Sequence, residues 1–348
     1  MNTFLPTSIN HLISRMVALV LATMSLVLAS PALAHVRWFV DPNDPSLETF
    51  EGFSFTDPEV LVWIALAFTL IGASIALDTK LPKIKVVESK TRHDVMELVR
   101  IFVGMSFLLT AYDGAVVAPH LGAFGPLGMA LLFLQAAIGI MLIANRFLKH
   151  ASFLMLLLYG GMVVKFGFFG ALEYCNIIGI ALFLLFNNVS DSQQRERLKL
   201  YSVAALRIFT GVALVALAVG EKLQGALLGQ AFMAAYNWNF MNEIGLDWFD
   251  DRLFVLSAGM MELTFGIILI LGTTTRLTIL ALSAVMFLSN TVFLAQGAQE
   301  EAMVEFIGHL PLIATALILL FLGYGQRLKV TDLFTNRSRP VDPAPVAA

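Results

Sequence analysis

Leu98-Val99-Arg100-Ile101-Phe102-Val103-Gly104 and Ala205-Leu206-Arg207-Ile208-Phe209-Thr210-Gly211 open two apolar runs of the chain, and their register persists to Leu121-Gly122 and Leu228-Gly229. A second match pairs Gln135 and Gly139-Ile140 with Glu262 and Gly266-Ile267. A third sets Glu173-Tyr174, ahead of Ala181 to Phe186, against Glu305-Phe306, ahead of Ala316 to Phe321. Three matches in one order indicate an internal duplication. Each copy spans four apolar runs, so the copies enter the membrane from the same side as parallel units.

Around this repeat the composition fixes the class. Of 348 residues, 58% are hydrophobic and 14% charged, against roughly 25% charged in an ordinary soluble domain. Runs centred in 60–78, 95–112, 127–145, 151–170, 172–187, 201–220, 253–272, 277–296 and 303–324 are each near the length a bilayer requires. Residues 1–34 read as a secretory signal: Arg15, an apolar run from Met16 to Ala29, and Ala32-Leu33-Ala34 as an A-x-A cleavage site. The mature chain then begins at His35, outside the cytoplasm. On that topology Lys80, Lys83, Lys85, Lys90, Arg92, Arg146, Lys149, Arg195, Arg197, Lys199, Arg276 and the basic residues of the tail fall inside. Only Arg37, Lys222 and Arg252 fall outside, as the positive-inside rule requires.

The expected fold is therefore all-α and polytopic, with two tandem parallel four-helix transmembrane bundles plus one extra N-terminal helix. Its parts are the signal (1–34), an extracytoplasmic segment (35–59), the extra helix and its loop (60–94), the first unit (95–200), the second (201–325) and a polar tail (326–348). A bacterial inner membrane with the tail in the cytoplasm is the expected setting. A net charge of −3 provides no cationic face for nucleic acid, and one cysteine, Cys175, rules out an internal disulfide.

A helix opening Arg-Ile-Phe-x-Gly and ending near Gly220-Glu221-Lys222-Leu223, followed by Glu262-x-x-x-Gly266 and Arg276, resembles the DoxX/DoxD-like membrane proteins. The likeness covers about 95–187 and, better, 201–325. It implies four-helix bundles and, for some members, association with quinone-linked sulfur oxidation or membrane oxidoreductase complexes.

Ionisable groups inside a span cost about 2.5–3.5 kcal/mol on insertion scales, so each needs a partner or a task. Glu305 and His309 are four residues apart and share a helix face. Glu262 is about nine residues into its span, roughly 13 Å deep. Glu221 and Asn290 complete a ring with one polar group from each helix of the second unit, whereas the first unit has Gln135 and Ile177 where the second has Glu262 and His309. Glu262, Glu305 and His309 are thus candidate proton-handling residues, with Glu221 and Asn290 as cofactor-facing groups. The bland reading is a polar network that ties helices together.

The aromatic loop from Glu221 to Arg252, with Tyr236 and Trp238, reads either as a lid or quinone-ring platform or as an interfacial belt. Lys165 is expected to pair with Glu173, Asp113 and His120 to be solvated, and Arg100 and Arg207 to snorkel. His35, once N-terminal, offers an amine and an imidazole to copper, with His309 as a further metal ligand and Met260, Met261 and Met303 as softer candidates. Three functions follow: a quinone-linked redox subunit with a membrane or extracytoplasmic redox partner, a metal-handling protein, or a non-catalytic scaffold for a partner enzyme.

Overall fold

The computed structural model describes residues 35–41, 43–81, 89–243, 245–323 and 327–334; the expected leader, part of the first inner loop and the end of the tail lie outside the described residues. The long helices are α1 (Pro58–Asp78), α2 (Ser89–Tyr112), α3 (Gly125–Ile143), α4 (Leu148–Phe166), α5 (Asn176–Asn187), α6 (Ser192–Leu217), α7 (Ala226–Tyr236), α8 (Asp251–Leu271), α9 (Thr275–Ala295) and α10 (Gln299–Leu322). A π-helical turn, Ala218–Leu223, extends α6. Among the described residues there is no strand beyond the isolated bridge between Ala115 and Gly122. Among the described residues, seven helices are long and apolar enough to cross a membrane. The chain is therefore a multi-pass membrane protein. Helix α5 is shorter than the span read from 172–187, because a one-turn helix at Phe168–Leu172 and a turn precede it.

Local signals set the helix ends. Asp191 and Asp250 accept from backbone N–H groups of Gln193 and Leu253, capping α6 and α8. Gly272 closes α8 at φ +79°, a left-handed conformation that favours glycine.

The duplication is carried into packing. In both units the first helix crosses the second where two glycines meet: a Cβ on Gly104 would lie 3.0 Å from the Gly139 carbonyl oxygen, and one on Gly211 would lie 2.6 Å from that of Gly266. Small residues permit such backbone approach in membrane bundles. In both units an arginine one turn earlier donates to the carbonyls that end the second helix: Arg100 to Leu142 and Ile143, Arg207 to Leu269 and Ile270. Both arginines are buried, and Arg207 also reaches the Leu328 carbonyl. Snorkelling is thus corrected: a helix C-terminus leaves carbonyls without intrahelical partners, and a guanidinium with several donors satisfies them.

The two bundles are not separate. Helices α2, α3, α4, α5, α6, α8, α9 and α10 pack consecutively, and α10 returns to α2, closing a ring. The last helix of each unit therefore packs on the first helix of the other, α5 on α6 and α10 on α2, and α6 also touches α10 across the middle. Helix α1 leans on the outside of α8.

Candidate functional site

The polar residues gather at the end of the ring covered by residues 35–57, termed the upper end. There the π turn after α6 places both Glu221 and Lys222 in the interior with no exposed surface. Lys222 donates to Glu262 of α8 at 2.9 Å. The buried imidazole Nδ1 of His309 lies 2.8 Å from the Glu305 carbonyl oxygen and 3.4 Å from the Glu305 carboxylate, and Ser289 of α9 donates to that carboxylate at 3.2 Å. The expected convergence of Glu221, Glu262, Glu305 and His309 at one end of the second unit is present.

The second unit alone does not build the site. The first unit contributes Glu173 and Tyr174 from the turn before α5, and the N-terminal segment enters between the units. The Val36 N–H donates to Glu221 at 2.9 Å, and Arg37 donates to Glu173 at 3.0 Å and to the Gly220 carbonyl at 3.2 Å. Trp38 donates its indole N–H to the Tyr174 hydroxyl at 3.2 Å. The buried His35 ring lies 4.2 Å from the Trp38 ring, 5.1 Å from His309 and 6.1 Å from Tyr174, centroid to centroid. Burial and the neighbouring His309 and Lys222 hold the His35 imidazole well below its ordinary pKa, so it is neutral near pH 7.

These contacts explain the exceptions to the positive-inside pattern. Each of the three cations expected outside is neutralised: Arg37 by Glu173, Lys222 by Glu262, and Arg252 by Asp57 and Glu59. Four buried carboxylates, Glu173, Glu221, Glu262 and Glu305, are set against two cations, Arg37 and Lys222. One oxygen each of Glu173, Glu221 and Glu305 has no hydrogen-bond partner, and neither has His35 Nδ1.

Two spaces adjoin the cluster. A cavity of about 60 Å³ is bordered by His35, Met261, Glu262, His309 and Thr315. A groove of about 440 Å³ runs between α9 and α10. Its walls are apolar, including Met286, Phe287, Phe306, Ile313 and Leu317, while Asn290, Glu305 and His309 give it a polar end. Phe287 is 76% and Leu294 57% exposed, so the groove opens sideways onto the surface that faces lipid in a membrane protein.

Other expectations are corrected. Lys165 does not pair with Glu173; it donates to the Phe124 carbonyl at 2.7 Å, and Arg37 takes the glutamate because the N-terminal segment reaches further inward. Trp238 is fully buried, packed with Phe232 and Phe293, and Tyr236 sits in the same aromatic cluster, so both belong to the core of a cap rather than to a ring platform. Asp113 is exposed as expected, but His120 packs beside Tyr174 with a buried Nδ1, and burial lowers its pKa to about 4. Asn290 donates to the Ala302 carbonyl while lining the groove. Met303 is 57% exposed and Met260 packs among Val60 and Leu256; of the three methionines only Met261 shares the cavity with His35.

Sequence reasoning missed Arg37, Lys222, Trp38 and Tyr174 as members of the site; the signal available was that two of them were exceptions to the expected positive-inside pattern. Among the described residues, no group of three or more His, Cys, Asp and Glu side chains is placed to hold a metal by itself. No protein-family model, curated protein or solved structure matches the chain.

Proposed function

We propose that this multi-pass membrane protein is the quinone-binding membrane subunit of a respiratory-type redox system, and that the groove between α9 and α10 takes the quinone. The observation that carries this reading is one apolar groove, open towards lipid, whose inner end is formed by Glu305, His309 and Asn290. A lipid-soluble quinone needs that combination: apolar walls for ring and tail, and a few placed polar groups for the ring oxygens.

Reduction of a quinone takes two electrons and two protons, so a proton-bearing group must lie beside a ring oxygen. Glu305 and His309 fill that role, and Ser289 orients the carboxylate. Behind them the cluster of Glu262, Lys222, Glu221, Glu173, Tyr174 and His35 gives protons a polar route to the upper end, which this reading puts outside the cytoplasm; the positive-inside pattern of the loops supports that orientation. The electrons pass to or from a partner protein. The bacterial inner membrane, mature N-terminus outside, is the setting this reading requires, and the resemblance to DoxX-like proteins supports it.

The test is labelling with a photoreactive ubiquinone analogue in native membranes, with the label mapped by mass spectrometry. Labels on α9 and α10 that fall in Ala316→Phe, which fills the groove, and in Glu305→Gln, which removes the ionisable head-end group, are expected. Labelling unchanged in both variants, or confined to other helices, refutes the proposal.

A further inference from the structure

The quinone reading uses His35 only as one stop on a polar route, yet the N-terminal segment gives this residue surroundings that a proton route does not require. His35 is 5% exposed and stands at the centre of the cluster, yet its Nδ1 has no partner. An imidazole nitrogen buried without a hydrogen bond is costly. His309 faces it with ring centroids 5.1 Å apart and ring planes 27° apart. The His309 Nδ1 contact is to a carbonyl oxygen, which can only accept, so Nδ1 is the donor and Nε2 is the nitrogen left to meet a ligand. This is the arrangement in which metal-binding histidines are commonly held, with one nitrogen tied to an oxygen and the other free to ligate.

The third donor comes from the main chain. Cleavage after Ala32-Leu33-Ala34 would make His35 the first residue. An α-amine and the Nδ1 of the same N-terminal histidine close a six-membered ring on one metal ion. The segment is anchored where this needs it, since the next residue, Val36, is fixed by its N–H bond to Glu221. Charge agrees: the cluster holds four carboxylates against Arg37 and Lys222, and three carboxylate oxygens lack partners. A divalent cation supplies the missing positive charge, and a set of nitrogen donors favours copper(II) over the other first-row divalent ions.

We propose that the mature chain beginning at His35 binds one copper(II) ion through its α-amine, the Nδ1 of His35 and the Nε2 of His309. The side chains alone do not form a three-ligand set because one ligand is a backbone amine created by processing. Binding displaces the proton of the α-ammonium, so affinity rises with pH. Trp38, stacked on His35 and hydrogen-bonded to Tyr174, covers the site and holds the ring in place. With His309 on the metal, Glu305 is the proton-bearing group left at the head of the groove, so in the copper-loaded chain it alone fills the role given above to Glu305 and His309; the copper proposal itself does not rest on the quinone.

The test uses the full chain expressed with its own leader in an exporting bacterial host and purified in detergent. Intact mass establishes the first residue, and the metal-stripped protein is titrated with copper(II) and, in parallel, zinc. One copper per chain is expected, with nitrogen hyperfine structure in the electron paramagnetic resonance spectrum. His309→Ala should weaken binding by about 100-fold or more, beyond what loss of an outer-shell partner costs. Ala34→Leu, which blocks cleavage and leaves the His35 nitrogen as an amide, should abolish it. His35→Gln, processed normally, gives the same answer if the uncleaved protein fails to insert. A mature chain starting elsewhere, no stoichiometric copper, or full binding by His35→Gln overturns the proposal. Leu317→Trp narrows the groove without bordering the cavity beside His35 and His309, so it should lose the quinone label and keep its copper, which separates failure here from failure of the groove.

Discussion

Replacing Lys222 by Met tests the electrostatics of the cluster. Lys222 is wholly enclosed and Glu262 is 5% exposed, with 2.9 Å between charged atoms. Removing one partner of a buried pair leaves the other charge uncompensated, which costs about 3–5 kcal/mol, whereas exchanging both for apolar groups of similar size is often close to neutral. Lys222→Met is thus expected to lose about 3–5 kcal/mol in SDS titrations followed by far-UV circular dichroism, and Lys222→Met/Glu262→Met to come back to within about 1–2 kcal/mol of the parent. The residual loss reflects the other carboxylates of the cluster, which also face the Lys222 charge. With Glu262→Met by itself also costing about 3–5 kcal/mol, a double-mutant cycle should return a coupling of about 4 kcal/mol or more, at or above the top of the usual range for residues in direct contact. Additive single-variant losses would refute the claim that these two groups are each other's counter-ion.

Further outcomes follow from packing and titration. Gly211→Ala sets a Cβ 2.6 Å from the Gly266 carbonyl oxygen, a backbone atom that cannot rotate away, and should cost about 1–3 kcal/mol by the same titration. Gly160→Ala, with open space around the new methyl, should be neutral or stabilising by up to about 1 kcal/mol. Arg207→Met strips the carbonyls of Leu269, Ile270 and Leu328 of their donor and should lower the thermal midpoint in detergent more than Arg207→Lys, which keeps a donor and a charge. His120 has a pKa of about 4 in the folded protein against an ordinary 6.5. Below pH 6.5 the unfolded chain takes the proton first, so the stability from neutral His120 is present above that pH and is lost as the pH falls towards 4. Midpoints measured from pH 7.5 to 4.5 should fall more steeply for the parent than for His120→Gln; parallel curves would remove His120 as a cause.

The sequence by itself determined the class, the helices and the duplication. Apolar run length located helices because a bilayer demands spans of about 20 residues that satisfy their own backbone. The Arg100/Arg207 and Gly104/Gly211 matches marked the repeat, and their reason is local to each unit: a close helix crossing and a capped helix end one turn apart. The acids and the imidazole of the second unit were legible because ionisable residues are rare in such runs.

Only the tertiary structure decided their partners. Arg37 meets Glu173, Val36 meets Glu221 and His35 meets His309 across more than 130 residues of chain, with no periodicity linking them. Nor could residue spacing reveal that each unit's last helix packs on the other's first, since that depends on how two similar surfaces dock. The site therefore lies between the repeats. One-dimensional pattern reports which face of a helix is apolar, whereas the identity of the neighbour on that face is set by packing of the whole ring.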